Sequence, residues 1–304
     1  MDSIILIFLC LIAGAVLRRL KILPSNSHAI LNQFVINISM PGLALYYLPK
    51  IVLGTQLLLP LGVAWIGFVL SWLFFAGLGK WQGWPKRLIG CLVLTAGLGN
   101  TAFVGFPVIE ALFGKQGLET AIVVDQPGTF VVVSTLGILV AAAYSKREAG
   151  TSGLLRKIVL FPPFIAFVIG LCMNLAGFDF HEALQAVFQR LGNTVTPVAL
   201  TAVGMQLHIQ RKSRHWGFVS LGLAFKLLLM PLFFFVLYRL ALGSRGIVAD
   251  VSIMESAMAP MITAAILASI YGLKPKLAGM MIGVGIPVSF ITMAFWYWLL
   301  IIFN

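Results

Sequence analysis

Charge is scarce in this sequence of 304 residues. Only 10% of the residues are Asp, Glu, Lys or Arg, whereas 60% are hydrophobic, and the mean hydropathy is +1.02. A soluble domain of this length carries more charge, because its surface would otherwise be apolar and adhesive. The composition therefore excludes a soluble globular protein and predicts an integral membrane protein with many spans.

Cysteine and catalytic motifs are equally sparse. The three cysteines, Cys10, Cys91 and Cys172, lie singly inside apolar segments and form no CxxC pair, which argues against a disulfide or a zinc site. The sequence has no phosphate-binding loop with a following lysine, and no HExxH or GxSxG motif. We therefore expect no ATP-driven pump, no intramembrane protease or other enzyme, and no metal or bound cofactor.

Acidic residues are the rarer of the two charge types. The chain has 21 Lys and Arg against 9 Asp and Glu, which gives a net charge of +12. The basic residues are spread between the apolar segments instead of being grouped on one domain. This pattern is typical of the loops of a membrane protein and predicts a lipid bilayer, not nucleic acid, as the partner.

Ten apolar runs are present, and each is close to the length of about 20 residues that a membrane-spanning helix needs. They are separated by charge, glycine and proline. The predicted spans are residues 3–20, 28–49, 57–79, 87–113, 117–144, 155–175, 182–208, 216–239, 247–271 and 276–303.

The basic residues set the orientation of these spans. Loops after odd-numbered spans contain 15 of them, and loops on the opposite side contain 4. The first group is Arg18, Arg19, Lys21, Lys80, Lys86, Arg87, Lys146, Arg147, Arg156, Lys157, Arg211, Lys212, Arg214, Lys274 and Lys276. The second group is Lys50, Lys115, Arg239 and Arg245. Because positively charged loops usually stay in the cytoplasm, both termini are predicted to lie outside it.

The two halves of the chain share a weak internal repeat. The longest polar loop, 145–157, separates residues 1–144 from 158–304, and each half holds five predicted spans. A shift of 156 residues aligns QFVINISMP (33–41) with QRLGNTVTP (189–197). An odd number of spans per repeat inverts the second copy, and inverted repeats with broken helices are a recurrent architecture of secondary transporters.

The aligned segments also contain polar residues beside prolines, inside predicted spans. Their amides and hydroxyls are candidates for a polar pocket, although hydroxyls in helices also bond to the backbone one turn back. These candidates are Asn37, Ser39, Pro41, Asn193, Thr194, Thr196 and Pro197.

The stretch GNTAFVGFP in the fourth predicted span should interrupt its helix. Pro107 has no amide hydrogen and clashes with the preceding turn, while Gly99 and Gly105 lower the cost of unwinding. Lipid offers no partners to the freed backbone groups, so such a break needs a protein-lined cavity. Asn100, with Thr101 beside it, is predicted to bind a substrate or an ion; the alternative is a hydrogen bond between helices.

Ionisable residues lie inside three other predicted spans. Glu255 and Ser256 precede Pro260 in the ninth span, which is expected to hold the inverted counterpart of the break. Asp125 lies in VVDQPG of the fifth span, and Lys226 lies near the middle of the eighth. Charged groups at membrane depth are costly and usually functional, so we expect Asp125 or Glu255 to serve ion coupling. Lys226 either pairs with one of these carboxylates or attracts an anionic substrate.

Together, these segments resemble the auxin efflux carrier family, the bacterial relatives of the plant PIN carriers. The resemblance covers nearly the whole chain. The segments that carry it are LNQFVINISMPGLAL (31–45), GNTAFVGFPVIEALFG (99–114), TAVGMQL (201–207), KLLLMP (226–231) and MESAMAPMITAAILASIYGL (254–273).

The resemblance implies an all-α fold of ten spans in two inverted five-span repeats, like that of sodium–proton antiporters and bile acid symporters. It implies that the broken fourth and ninth spans cross at their prolines. It further implies a homodimer, a weak organic acid as substrate and elevator-type movement. In the plant carriers an asparagine seven residues before the fourth-span proline contacts the substrate carboxylate, and Asn100 has that position relative to Pro107.

The sequence thus predicts a secondary transporter that exports small organic anions across a bacterial inner membrane. Asn100, Thr101, Asn37, Asn193 and Ser256 are the predicted substrate-binding residues. Coupling to H⁺, coupling to Na⁺ and uncoupled transport are all compatible with the sequence. The alternatives are a sodium-coupled uptake symporter for a bile-acid-like substrate and, from a different class, a membrane receptor, which would need a soluble output region.

Overall fold

A computed structural model describes residues 2–24, 26–51, 54–145, 160–206 and 215–303 of the chain. In these ranges the backbone forms helices joined by turns and short irregular segments, and no strand occurs there; an isolated bridge joins Gly99 to Pro260. The all-helical class predicted from the sequence is therefore confirmed for this part of the chain.

Some of the sequence predictions lie outside the described residues. These are residues 146–157 of the predicted linker, the first residues of the sixth predicted span and the last residues of the seventh. The same is true of seven basic residues in the cytoplasmic tally, namely Lys146, Arg147, Arg156, Lys157, Arg211, Lys212 and Arg214.

Five helices in the described ranges are long and apolar enough to cross a membrane. They are Ser27–Lys50, Leu58–Trp81, Thr101–Tyr144, Trp216–Ala241 and Pro275–Ile302. The 44-residue run Thr101–Tyr144 leaves helical geometry at Gly114, where φ is 65° and ψ is −162°. Gly114 lies between the fourth and fifth predicted spans, so the run consists of two helical pieces.

The other helices are shorter, and each falls, to within one residue, in one of the apolar runs of the sequence. They are Asp2–Arg19, Lys86–Gly97, Pro162–Leu175, Glu182–Gly192, Val195–Gln206, Ile247–Ser256 and Ile262–Ile270. Three of the predicted spans are interrupted: the fourth at residues 98–100, the seventh at 193–194 and the ninth at 257–261.

Three prolines inside helices are accommodated by wide π-helical turns. Because proline lacks an amide hydrogen and its ring collides with the carbonyl four residues earlier, the preceding turn opens and the helix continues. Each π-helical turn ends two residues before its proline: Val35–Ser39 before Pro41, Thr101–Gly105 before Pro107, and Phe225–Leu229 before Pro231.

The chain divides into two compact units, and each unit takes segments from both halves of the sequence. The first unit comprises Met1–Thr55, Ala102–Ile122 and Gly153–Leu207. The second unit comprises Gln56–Thr101, Val123–Ser152 and His208–Asn304.

Glycines bring two helices of the first unit into close contact. A Cβ atom at Gly14 of the first helix would overlap the carbonyl oxygen of Thr201 in the helix Val195–Gln206. In the reverse direction, a Cβ atom at Gly204 would overlap the carbonyl oxygen of Leu11. Small residues allow such backbone approach between membrane helices, where packing replaces the hydrophobic driving force.

Arg239 departs from its predicted position in the second unit. The tally of loop charges places it outside the membrane, but its side chain is 2% exposed and its Nη2 lies 2.6 Å from Asp250 Oδ1. The guanidinium also donates to the carbonyl of Ser244 at 3.2 Å. A buried cation needs a partner, and the ion pair with Asp250 allows the side chain of Arg239 to be buried.

Candidate functional site

Two interruptions of helices in the second unit meet each other. The helix Lys86–Gly97 ends at Leu98, whose backbone is extended with φ −117° and ψ 132°. The helix Ile247–Ser256 ends at Ala257, whose φ is −87° and ψ is −1°, and Met261 is extended before the helix Ile262–Ile270 begins. We call the two interruptions, residues 98–100 and 257–261, the crossing.

Reciprocal hydrogen bonds hold the crossing together. The amide of Asn100 donates to the carbonyl of Ala259 at 2.7 Å, and the amide of Met261 donates to the carbonyl of Leu98 at 3.0 Å. Backbone groups that lose their helical partners inside an apolar protein must find others. Each interruption therefore supplies the partners that the other needs.

Gly99 and Pro260 form the central pair of this antiparallel bridge. The two bridging hydrogen bonds come from the residues on either side of the pair, so neither central amide is used. A proline fits at position 260 for this reason, since its missing amide hydrogen has no role in the bridge. Gly285 packs against it: a Cβ atom at Gly285 would lie 2.7 Å from Cδ of Pro260.

Lys226 brings a cation to the crossing. Its Nζ donates to the carbonyl oxygen of Ser256 at 2.9 Å, at the last residue of the helix Ile247–Ser256, and the residue is 2% exposed. A Cβ atom on Gly99 would be only 3.2 Å from this Nζ. The carbonyl end of a helix carries partial negative charge, which an ammonium group compensates.

Asp125 is held beside the crossing by two donors. Thr101 Oγ1 donates to Asp125 Oδ1 at 2.6 Å, and Gln126 Nε2 donates to Asp125 Oδ2 at 2.7 Å. All three residues are buried. Thr101 is the first residue after the crossing in its segment, so this network fixes the start of the following helix.

Glu255 has a different environment, although it lies on the helix that ends at the crossing. Its side chain is completely buried, and neither Oε1 nor Oε2 has a hydrogen-bond partner among the described residues. The neighbouring Ser256 hydroxyl is occupied, since it donates to the carbonyl of Ile253 at 2.6 Å. Of the two residues, Glu255 is therefore the one with unused polar atoms.

The crossing does not contain all the predicted residues of the fourth-span motif. Gly105 and Pro107 lie in the helical run that follows the crossing, at the end of the π-helical turn and just after it. Pro107 is eight residues beyond Gly99, so the chain is interrupted at the glycine instead of at the proline. The physical reason is the π-helical turn, which accommodates the proline without breaking the helix.

The other predicted polar residues belong to the first unit. Asn37 is exposed, and its amide donates to the backbone carbonyl and the side chain of Gln33. Asn193 is also exposed, in the turn that divides the seventh predicted span. The structure therefore places both asparagines in a different unit from Asn100 and Ser256.

Three hydroxyls of the first unit make contacts that the sequence did not indicate. Ser39 is fully buried, and its Oγ lies 2.7 Å from Thr194 Oγ1. Thr196 Oγ1 donates to Glu110 Oε2 at 3.1 Å. Glu110 lies in the segment GNTAFVGFPVIEALFG, but the sequence analysis did not predict a role for it. Pro41 and Pro197 lie near the starts of the neighbouring helices Met40–Tyr47 and Val195–Gln206.

Long apolar helices, a buried crossing of two interrupted helices and a cluster of ionisable groups beside it define a polytopic membrane protein. The sequence pattern of the membrane transport protein family matches residues 1–297, and the chain belongs to this family. The auxin efflux carrier resemblance of the motifs is thereby confirmed.

Relatives of nearly the same length are also transporters by name. The chain is 27% identical over 312 residues to an uncharacterized transporter of Methanocaldococcus jannaschii, and the match covers 99% of each chain. It is 26% identical over 307 residues to an uncharacterized transporter of Methanothermobacter thermautotrophicus, across 97% of this chain and 96% of the relative. The protein is accordingly a membrane transporter.

Proposed function

We propose that this protein is a secondary transporter of small organic anions, that is, of weak carboxylic acids, and that it exports them by elevator-type alternating access. The observation that carries the proposal is the ammonium group of Lys226 at the crossing, 2.9 Å from the carbonyl of Ser256 and next to Gly99. A buried cation beside two interrupted helices favours an anionic substrate. We propose no enzymatic role.

Helix N-termini add to the positive potential there. The helix Ile262–Ile270 begins directly after one interruption, and the helical run Thr101–Tyr144 begins directly after the other. The N-terminal end of a helix carries partial positive charge and unpaired N–H groups, which suit a carboxylate. Asn100, buried at the crossing, is the residue to which the family resemblance assigns the carboxylate contact.

Thr101 and Ser256 contribute indirectly in this proposal. Their hydroxyls are already committed as donors, to Asp125 and to the carbonyl of Ile253, so they shape the site instead of donating to the substrate. Asn37 and Asn193 are kept as candidate substrate-binding residues on the sequence pattern alone; both amides are exposed in the first unit.

We also propose ten spans in two inverted repeats, and the first unit supports this at the shift of 156 residues found in the sequence. Arg18 Nη1 donates to the carbonyl of Met205 at 2.7 Å. Asn174, the repeat equivalent of Arg18, donates to the carbonyl of Pro49, the equivalent of Met205, at 3.0 Å. In each repeat the end of the first helix therefore caps the second helix of the other repeat.

The crossing also joins the two proposed repeats in the second unit. Gly99 of the first repeat faces Pro260 of the second, 161 residues further along the chain, which is five more than the shift of 156 residues. The bonds from Asn100 to Ala259 and from Met261 to Leu98 are exchanged by a shift of 161 residues. A pseudo-two-fold axis in the membrane plane is the expected relation between inverted repeats.

The proposal places the protein in a bacterial inner membrane with both termini outside the cytoplasm, as a homodimer. It leaves the coupling ion, H⁺ or Na⁺, to the experiment. A sodium-coupled uptake symporter for a bulky organic acid shares the fold and is the outcome to be excluded.

Flux into liposomes tests the proposed function. Purified protein is reconstituted, and uptake of radiolabelled malonate, malate and phenylacetate is measured with and without gradients of pH or sodium. We expect at least one of these carboxylates to move through the protein. Uptake of a bulky steroid acid that depends strictly on sodium would favour the symporter, and no flux of any carboxylate would refute the proposal.

A further inference from the structure

Glu255 is a buried carboxylate of the second unit that has no role in the proposed substrate site. We propose that Glu255 is the proton carrier of the transporter: it binds one proton together with the carboxylate substrate and releases it together with the substrate. This inference rests on the proposed function, because it assumes that an organic anion occupies the crossing. It chooses between the two carboxylates that the sequence left as equal candidates.

Three ionisable side chains surround the crossing, and two of them have defined partners. Asp125 accepts hydrogen bonds from Thr101 and Gln126, which is the arrangement that stabilises an ionised carboxylate. Lys226 donates to the carbonyl of Ser256, which suits a charged ammonium group. Each of these two groups therefore has hydrogen-bond partners inside the protein.

Glu255 lacks such support. It is fully buried, both carboxylate oxygens are without hydrogen-bond partners in the described part of the chain, and the salt bridges Lys50–Asp179 and Arg239–Asp250 do not involve it. A bare carboxylate in this position would cost a large desolvation free energy. A bound proton removes the charge and needs only one of the two oxygens, whereas a metal cation needs several more oxygen ligands.

Ionisable groups lie on the helix of Glu255 and on the helices that pack against it. Asp125 and Lys226 are the groups that interact with it electrostatically. Its own helix also carries Asp250, which is bound to Arg239. The helices packed against it carry ionisable groups elsewhere: Lys80 in Leu58–Trp81, Tyr238 and Arg239 in Phe235–Ala241, and Lys276 and Tyr297 in Pro275–Ile302. The local balance is therefore set by Asp125, Glu255 and Lys226.

Charge balance then links the proton to the substrate. With all three groups ionised, the two carboxylates outweigh the single ammonium, and an arriving anion would meet net negative charge. With Glu255 protonated, Asp125 and Lys226 cancel, and the helix N-termini are free to hold the anion. Protonation and anion binding therefore favour each other, which is a coupling between two sites in the sense of linkage.

The proton balance of one cycle is simple. A proton from the aqueous side adds to a carboxylate oxygen of Glu255, and the substrate anion binds. Both leave on the opposite side, so the net movement equals that of the neutral acid. No bond of the substrate is made or broken. The direction of net flux follows the sum of the proton and anion gradients.

Glu255→Gln tests this role, because glutamine resembles the protonated acid but cannot exchange a proton. In liposomes with the membrane potential clamped, we expect the wild-type protein to accumulate the transported carboxylate at least ten-fold more with an acidic exterior than without a pH gradient. Glu255→Gln should still exchange labelled for unlabelled carboxylate, but its accumulation should not respond to pH. Glu182→Gln, an exposed residue of the first unit, is the matched control and should behave as wild type.

Several results would overturn the inference while leaving the proposed function intact. One is accumulation by Glu255→Gln that still follows the pH gradient; another is wild-type accumulation that needs sodium and ignores pH. If wild type moves none of the three probe carboxylates, the proposed function itself fails, and the inference fails with it.

A second measurement covers the case in which Glu255→Gln does not fold. The affinity of wild-type protein for the transported carboxylate is measured across pH. Because the anion favours the protonated site, affinity should fall as pH rises, by at least ten-fold over the titration of Glu255. The infrared carbonyl band of a buried carboxylic acid should fade over the same pH range. A pH-independent affinity, or no such band, would show that Glu255 carries no proton.

Discussion

Lys226 lies where a helix ends, and its charge compensates the partial negative charge of that helix end. The ammonium group meets the final carbonyl of the helix Ile247–Ser256 and lies against the backbone of Gly99. A lysine buried without such partners would cost several kcal/mol. Here the helix end and the lysine stabilise each other beside the crossing.

Gly99 is small because Lys226 needs the space beside it. A Cβ atom at this position would lie 3.2 Å from Lys226 Nζ and 3.4 Å from the carbonyl oxygen of Glu255. We predict that Gly99→Ala displaces the ammonium group, lowers carboxylate flux several-fold and destabilises the protein by about 1–3 kcal/mol. Flux in liposomes and thermal unfolding of the purified protein measure the two effects.

Gly77→Ala is the control for this substitution. Gly77 lies in the helix Leu58–Trp81, and nothing is within 4 Å of a Cβ atom placed there. The control should keep wild-type flux and stability or become slightly more stable. Normal flux in Gly99→Ala would show that the position of the ammonium group does not matter for transport.

Neighbouring helices of the second unit pack against the crossing. The helix Pro275–Ile302 brings Gly285 against the ring of Pro260, with 2.7 Å between a built Cβ atom and Cδ, and 2.9 Å to a methyl carbon of Leu223. Close packing of this kind leaves no room for one more methyl group. The position of Pro260 is therefore fixed by contacts from another helix as well as by the bridge to Gly99.

We predict that Gly285→Ala pushes Pro260 out of place and destabilises the protein by about 1–3 kcal/mol. Gly279 of the same helix has nothing within 4 Å of a built Cβ atom. Gly279→Ala should therefore stabilise by up to about 1 kcal/mol, because alanine favours helix over glycine. Thermal unfolding in detergent compares the pair; equal effects of the two substitutions would mean that the contact with Pro260 is unimportant.

The sequence indicated that the fourth and ninth apolar runs are interrupted, because glycine, amide and proline occur together there. It named Gly99, Gly105 and Pro107 as the residues of the first break, and the structure has the break at Gly99. Proline signals a missing hydrogen bond, but sequence alone does not tell whether the helix breaks or only widens into a π-helical turn. The pairing of Gly99 with Pro260 depends on a contact between residues 161 apart, which local pattern does not encode.

Charged residues were predictable only in part for the same reason. Asp125, Glu255 and Lys226 stood out because each lies far from the ends of its apolar run or beside a proline. Arg239 did not, since it lies close to a predicted loop and its partner Asp250 is eleven residues further along the chain. Gln126 was visible in VVDQPG, but its bond to Asp125 required the structure.

Orientation is a property of the whole molecule, and it rests on the 15 to 4 distribution of basic residues. Burial of Arg239 removes one residue from the smaller group and leaves the bias in the same direction. Loops rich in Lys and Arg are usually retained in the cytoplasm when a protein is inserted into the membrane. The loop that joins the two proposed repeats is therefore expected to be cytoplasmic.

We predict that a cysteine at Thr151 is protected from an impermeant thiol reagent in whole cells and becomes reactive once the membrane is permeabilised. A cysteine at Lys115, an exposed residue beside the Gly114 turn, should react in intact cells. Both are made with the exposed Cys172 replaced by serine. Labelling of the first and protection of the second would invert the topology.

Carboxylate binding by Asn100→Ala tests the central claim, that the crossing binds an organic anion. Equilibrium binding of a radiolabelled carboxylate to purified protein is compared for wild type, Asn100→Ala and the control Asn26→Ala, whose exposed amide makes no capping bond. We expect Asn100→Ala to lose at least ten-fold in affinity with an unchanged melting temperature, while Asn26→Ala binds as wild type. Wild-type affinity in a folded Asn100→Ala protein would contradict the claim.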